Sequence, residues 1–208
     1  MKRPPLYVVL ASFGVLSPEE IITILPLFKP KTYERGKILL GIGEINDNLF
    51  FIETGITREF SYIDQDQDQD QDQDQDQDQD SSITHWIMAE GNFQYIVNSF
   101  LDETPSEVGI EVIEKAKIWC MNKKALDKLY QDYPQFNFIG RLMGEFYLKK
   151  YENYISILRK PAEKRLEWFY EYHKELVNRV PLRYIASYLN ITPTHLSRIR
   201  RAAMKKYK

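Results

Sequence analysis

Thr194, His195, Ser197, Arg198 and Arg201 stand close together near the C-terminus, and all five carry hydroxyl, imidazole or guanidinium groups. If the segment is helical, they lie opposite Leu196 and Ile199, which are spaced i and i+3 to face a core. A solvent-facing helix surface of this kind suits the major groove of duplex DNA, where Arg reads guanine and hydroxyls reach bases or phosphates. Arg183, Arg200, Lys205, Lys206 and Lys208 flank that face. Their charges would neutralise phosphates, which positions a protein on DNA without specifying sequence.

The preceding residues supply what such a helix needs. Thr192-Pro193 offers an N-cap followed by a first-turn proline. Asn190 tolerates the positive φ of a tight turn. Ile185, Ala186 and Leu189 can form the inner face of a first helix, with the small Ala186 allowing close approach. Pro181 to Lys208 therefore reads as a helix-turn-helix, with a further helix over Ala162 to His173 in front of it. A three-helix packing unit with a solvated basic face is the competing interpretation.

Charge is distributed unevenly, and the asymmetry says more than the net value of -2. From Arg141 onward there are 16 Lys/Arg against 6 Asp/Glu, and from Leu176 onward 8 basic residues and no acid. A basic C-terminal third beside an acidic remainder is expected of a nucleic-acid-binding module joined to a different one, and a chain of 208 residues has room for two.

The part that must carry these helices changes character along its length. Ser17-Pro18-Glu19-Glu20 is a capping box with a first-turn proline, opening a helix to about Leu25. From Phe28 to Trp119, short apolar runs punctuated by Gly41, Gly43 and Gly55 predict short antiparallel strands in a roll, sandwich or barrel. Asp64 to Asp80 is a strict Asp-Gln repeat with nothing apolar to bury. It reads as a disordered loop at the tip of a hairpin whose strands are Arg58 to Ile63 and Ile83 to Met88. A calcium site is disfavoured, because the repeat has no turn glycine and no closing bidentate acid.

Ile139, Leu142, Met143, Phe146, Tyr147, Tyr151, Tyr154, Ile155 and Leu158 then recur at spacings of three and four, a long amphipathic helix ended by Pro161. Such a stripe either lies on its own β domain or pairs two subunits, and its length favours pairing.

No cofactor or metal is expected. The one cysteine, Cys120, excludes a disulfide framework and a four-cysteine iron-sulfur or zinc site within one chain. His85, His173 and His195 are scattered over different elements, which argues against haem. No apolar run approaches the roughly 20 residues of a membrane span. Pro4-Pro5 interrupt the apolar N-terminal stretch and no small-x-small site follows, so a signal peptide is not expected and a cytoplasmic location is.

With these residues in view, the chain resembles the Crp/Fnr family of bacterial transcription regulators over nearly its whole length. The resemblance is carried by Gly43-Glu44, by Leu49 to Gly55, and above all by Ile185 to Arg198, with its Thr-Pro-x-x-Leu-Ser-Arg core. It implies an α+β chain: an N-terminal antiparallel, jelly-roll-like β-roll with flanking helices, a long central helix and a C-terminal helix-turn-helix domain. It further implies a cyclic-nucleotide-binding-like roll over 1–130, a dimerisation helix over 134–159 and a DNA-binding domain over 160–208. The implied partners are double-stranded DNA, a second copy of the chain, RNA polymerase and an unidentified small-molecule effector. Thr194 and Arg198 match recognition-helix positions that contact bases, and a two-stranded wing is not expected after them.

The nucleotide pocket departs from the family pattern. Tyr95-Ile96 stand where the resemblance implies a Gly-Glu pair for the ribose, and Ser106 where it implies an Arg for the cyclic phosphate. A phosphate without that cation loses its charge-assisted hydrogen bonds, so cyclic AMP is not expected to bind. The alternative reading is a ligand-binding roll acting through protein partners without specific DNA binding. A cupin-like metalloenzyme ranks last, since no His-x-His cluster occurs in the β domain.

Overall fold

A computed structural model of the chain describes residues 5–62 and 82–206, with side chains to 202. The Asp-Gln repeat and the side chains of Lys205, Lys206 and Lys208 lie outside the described residues.

Two helices open the chain, α1 (Pro5–Ser12) and α2 (Pro18–Ile24). The capping box at Ser17 is formed in both directions: Glu20 N–H donates to Ser17 Oγ (3.2 Å) and Ser17 N–H to the Glu20 carboxylate (2.7 Å). Composition did not reveal α1. Its buried Leu6, Tyr7 and Leu10 belong to an apolar cluster with Phe28, Phe51, Phe93 and Met121.

The sheet comprises β1 (Lys29–Tyr33), β2 (Ile38–Leu40), β3 (Asn48–Tyr62), β4 (Ser82–Met88), β5 (Phe93–Gln94) and β6 (Gly109–Asn122), all paired antiparallel. Short strands were the expectation, but β3 and β6 run for 15 and 14 residues. They are continuous because bulges between Ile52 and Thr57 bend the pair without breaking it, so one ribbon serves both halves of the roll. Gly55 sits in that bend at φ +92°, where a Cβ would come within 2.6 Å of the Ala116 backbone. One edge of β3 is covered by β5 and then by β4; β6 carries β1 and β2 on its other edge. Tyr62 pairs with Ser82, so the two strands flanking the Asp-Gln repeat do form a hairpin.

Helix α3 (Val97–Asp102) interrupts the roll, and α4 (Lys123–Asp132) and α5 (Pro134–Leu158) follow it. Helix α5 is the long central helix, and its two ends lie in different apolar clusters. Phe136 and Ile139 pack with α1, α4 and the roll, whereas Tyr154 packs with Leu166, Phe169 and Tyr188 near the C-terminus. Three helices close the fold: α6 (Ala162–Tyr172), α7 (Leu182–Tyr188) and α8 (Pro193–Lys206). Among the described residues, no helix is long and apolar enough to cross a membrane.

Candidate nucleic-acid interface and the cavity beside it

Local chemistry makes the α7–α8 turn. Asn190 adopts φ +51°, and Thr192 Oγ1 accepts from His195 N–H (3.2 Å), capping α8 as its sequence requires. From α6, Arg165 Nη1 donates to the carbonyls of Leu189 and Asn190, both at 2.8 Å, so a cation binds the backbone groups that the end of α7 leaves unpaired. Sequence reading missed this residue, since nothing in the local pattern of α6 marks it.

Leu196 and Ile199 are buried, and Ile185, Ala186 and Leu189 are fully inside. The opposite side of α8 presents Thr194, Ser197, Arg198 and Arg201 to solvent, with Thr192 exposed at its start and His195 half-buried. Pro193, Thr194, Ser197, Arg198, Arg201 and Ala202 line one shallow concavity. Arg198 and Arg201 form no ion pair among the described residues. Arg183, exposed on α7, lies over the Tyr184 ring at 4.9 Å, which leaves it on the flank of this surface rather than within it.

The helices are fastened to the roll rather than tethered beside it. Ser187 Oγ accepts from Thr84 N–H (2.8 Å), so α7 satisfies a donor on the edge strand β4. Arg58, 3% exposed, ion-pairs with Glu111 at 2.7 Å and lays its guanidinium 3.8 Å from the centroid of Tyr184. Arg179 clasps Glu90 and Glu114 of the roll at 2.6 and 2.7 Å. Burial pushes the Glu90 carboxyl up, but hydrogen bonds from Arg179 and the backbone outweigh it and hold it below the ordinary carboxylate value. Trp86 of β4 meets Tyr154 and Tyr188 edge-on at 5.2 and 6.1 Å. His173 joins the same aromatic cluster, and His85 bonds Ser61 Oγ at 2.8 Å, so both histidines have structural contacts.

Trp86 also borders a cavity of about 620 Å³ between the roll and α5. Its walls are mostly aromatic and aliphatic, with Phe28, Phe93, Phe100, Phe136 and Met143 among them. Tyr95 and Ile96, two of the three residues expected in a degenerate pocket, line it. Ser106 does not. It is buried outside the cavity and donates to the Val108 carbonyl at 2.6 Å. Only Glu59, Lys123 and Asp127 among the lining residues are charged. Lys123 pairs with Glu103 and Asp127 at 3.1 Å each, so the one cation of the wall is already engaged.

The stripe expected to pair subunits is divided. Ile139, Met143, Tyr147, Tyr154 and Leu158 pack against their own chain, Tyr147 Oη accepting from Phe93 N–H at 2.9 Å and Tyr154 donating to the Tyr188 carbonyl at 2.7 Å. The roll and the C-terminal helices each offer α5 an apolar surface, and these residues cover it. Leu142 is half-buried and Phe146 49% exposed. With Phe138, 40% exposed, they form an i, i+4, i+8 row on the outer side of the helix.

Comparison with solved structures gives this arrangement a context. FixK2 of Bradyrhizobium japonicum matches with a TM-score of 0.66 at 16% identity, over 86% of this chain and 85% of that one. The c-di-GMP-responsive global regulator CLP of Xanthomonas campestris matches at 0.67 and 13%, over 93% and 92%. A CooA variant of Carboxydothermus hydrogenoformans matches at 0.62 and 18%, over 88% and 79%. These neighbours are Crp/Fnr regulators. The chain has the Crp/Fnr fold. No protein-family model matches the sequence, and no curated protein matches it. The α+β class expected from the sequence, a roll with flanking helices, a long central helix and C-terminal helices, is the class observed.

Proposed function

We propose that the protein is a sequence-specific DNA-binding transcription regulator of Crp/Fnr type, non-enzymatic and cytoplasmic, working as a homodimer and not through cyclic AMP. The observation that carries this reading is the outer face of α8. Four donor-bearing side chains, Thr194, Ser197, Arg198 and Arg201, stand exposed on a capped helix, and no acid occurs from Leu176 onward. Helix α8 would enter the major groove with Arg198 at a guanine edge, while Arg183, Arg200 and the basic C-terminal residues meet phosphates. Thr192 serves as the cap, and His195 lies at the border of the base-reading face.

The Phe138–Leu142–Phe146 row supports pairing of two copies through the outer side of α5, which would set two α8 helices on a palindromic site. The exclusion of cyclic AMP is supported by the lining of the cavity, whose one cation is held by two carboxylates. The test is selection of bound duplexes from a random pool with the full-length protein. The expected result is a palindromic consensus. Enrichment of no sequence over bulk DNA would leave a roll acting through protein partners as the surviving alternative.

A further inference from the structure

Glu59 is a carboxyl group set into an apolar wall. It lies on β3 opposite Trp86 of β4 and Ile110 of β6, and its side chain lines the cavity. Gln94 Nε2 donates to the Glu59 carboxylate at 3.2 Å, and the Gln94 amide oxygen accepts in turn from Thr57 Oγ1 at 2.5 Å. A carboxylate accepts about four hydrogen bonds, so one amide contact leaves most of its capacity unused. Among the described residues no cation pairs with it: Arg58, its chain neighbour, is bound to Glu111, and Lys123 is held by Glu103 and Asp127. The groups around Glu59 are Gln94 of β5, Tyr95 beyond it, Tyr147 of α5, Trp86 and Ile110, none of them charged at neutral pH. The surroundings thus combine a large apolar surface with one unneutralised acidic acceptor.

We propose that this cavity binds a small, mainly aromatic or aliphatic molecule carrying a single ammonium group, which Glu59 receives in a charge-assisted hydrogen bond. The volume suits such a ligand, since small-molecule sites commonly span roughly 300 to 1,000 Å³. An anion meets no available cation here and faces Glu59, so carboxylates and phosphates are rejected. Burial pushes the Glu59 carboxyl up to about 7, with the Gln94 hydrogen bond opposing. An arriving cation supplies the counter-charge that favours its ionised form. Trp86 belongs both to the cavity wall and to the aromatic cluster with Tyr154 of α5 and Tyr188 of α7, which gives occupancy a physical route to the C-terminal helices. That the ligand modulates DNA binding rests on the proposed function; the binding itself does not.

The experiment is calorimetric titration of the full-length protein at pH 8 with two matched series: tryptamine, tryptophol and indole-3-propionate; and octylamine, octanol and octanoate. The expected result, in the series whose shape fits, is an amine bound at least about tenfold more tightly than its alcohol, with the acid weakest. Glu59→Gln should remove the amine preference while leaving the alcohol's affinity within about twofold, which also shows that the cavity has survived the substitution. Lowering the pH from 8 to 6 should weaken amine binding, because Glu59 must then release a proton. An acid binding as tightly as its amine, an unchanged amine preference in Glu59→Gln, or millimolar silence from both series overturns the proposal. Amine binding without any selected DNA consensus would instead overturn the regulator reading alone.

Discussion

Glu59 and Arg198 illustrate two ways in which a single residue departs from an ordinary surface role. The Glu59 pKa is raised from 4.5 to about 7 by desolvation, so between those values the folded chain holds a proton that the unfolded chain has released. Its stability contribution is fully present below about pH 4.5 and is lost as the pH rises through 7. Glu59→Gln should accordingly match the parent near pH 4 and exceed it by roughly 3 kcal/mol at pH 8. Urea midpoints across that range check this, and a constant difference would contradict the burial argument. Arg198 pairs with no acid among the described residues and is exposed, so its removal should leave stability within about 0.5 kcal/mol. Arg198→Ala should nonetheless cost about 1–3 kcal/mol against the preferred duplex and flatten discrimination at one base pair. Competition binding with single-base variants measures that loss, and unchanged discrimination would remove Arg198 from base readout.

At the level of elements, the α7–α8 pair was legible because its signals are local. A cap, a proline, a turn asparagine and two inward apolar residues all fall within Ile185 to Ile199, and each has the partner expected of it. The clasp holding that pair to the roll was not legible, since Arg179, Glu90 and Glu114 lie on separate segments and alternate with nothing. Arg58 escaped notice for a related reason. A charged residue within a strand reads as solvent-facing when one sheet face is assumed to be wet, yet α7 covers that face here. The clasp is partly exposed, so its two ion pairs are together worth little more than about 1 kcal/mol. Arg179→Ala should therefore barely shift the global urea midpoint. It should speed amide exchange at Thr84, whose N–H is held by Ser187, while leaving β1 and β6 unchanged. Equal exchange at Thr84 in both proteins would mean that the aromatic contacts alone fix α7.

For the whole molecule, the decisive quantity is how many basic groups reach DNA together. Charge asymmetry was readable directly from the sequence, but the cavity was not, because Glu59, Gln94 and Tyr147 come together only when β3, β5 and α5 assemble. Nor could periodicity alone separate the side of α5 that the chain covers from the side it leaves outward; the apolar stripe was visible, its division between Tyr147 and Phe146 was not. If the outward row pairs two copies, Arg183, Arg200, Lys205, Lys206 and Lys208 of each protomer meet the phosphates of one duplex. Ten neutralised phosphates give a slope of log affinity against log salt of about −9. Replacing Leu142 with Glu places an acid in the middle of the Phe138–Phe146 row, where two copies would set like charges face to face. The substitution should shift sedimentation to the monomer and reduce the slope to about −4.5, because each chain then neutralises only its own half-site. A dimer that persists with an unchanged slope would move the pairing surface off this row. A monomer that keeps the full slope would mean that one chain alone makes all the phosphate contacts, which the five basic residues assigned to phosphates in a single protomer are too few to supply.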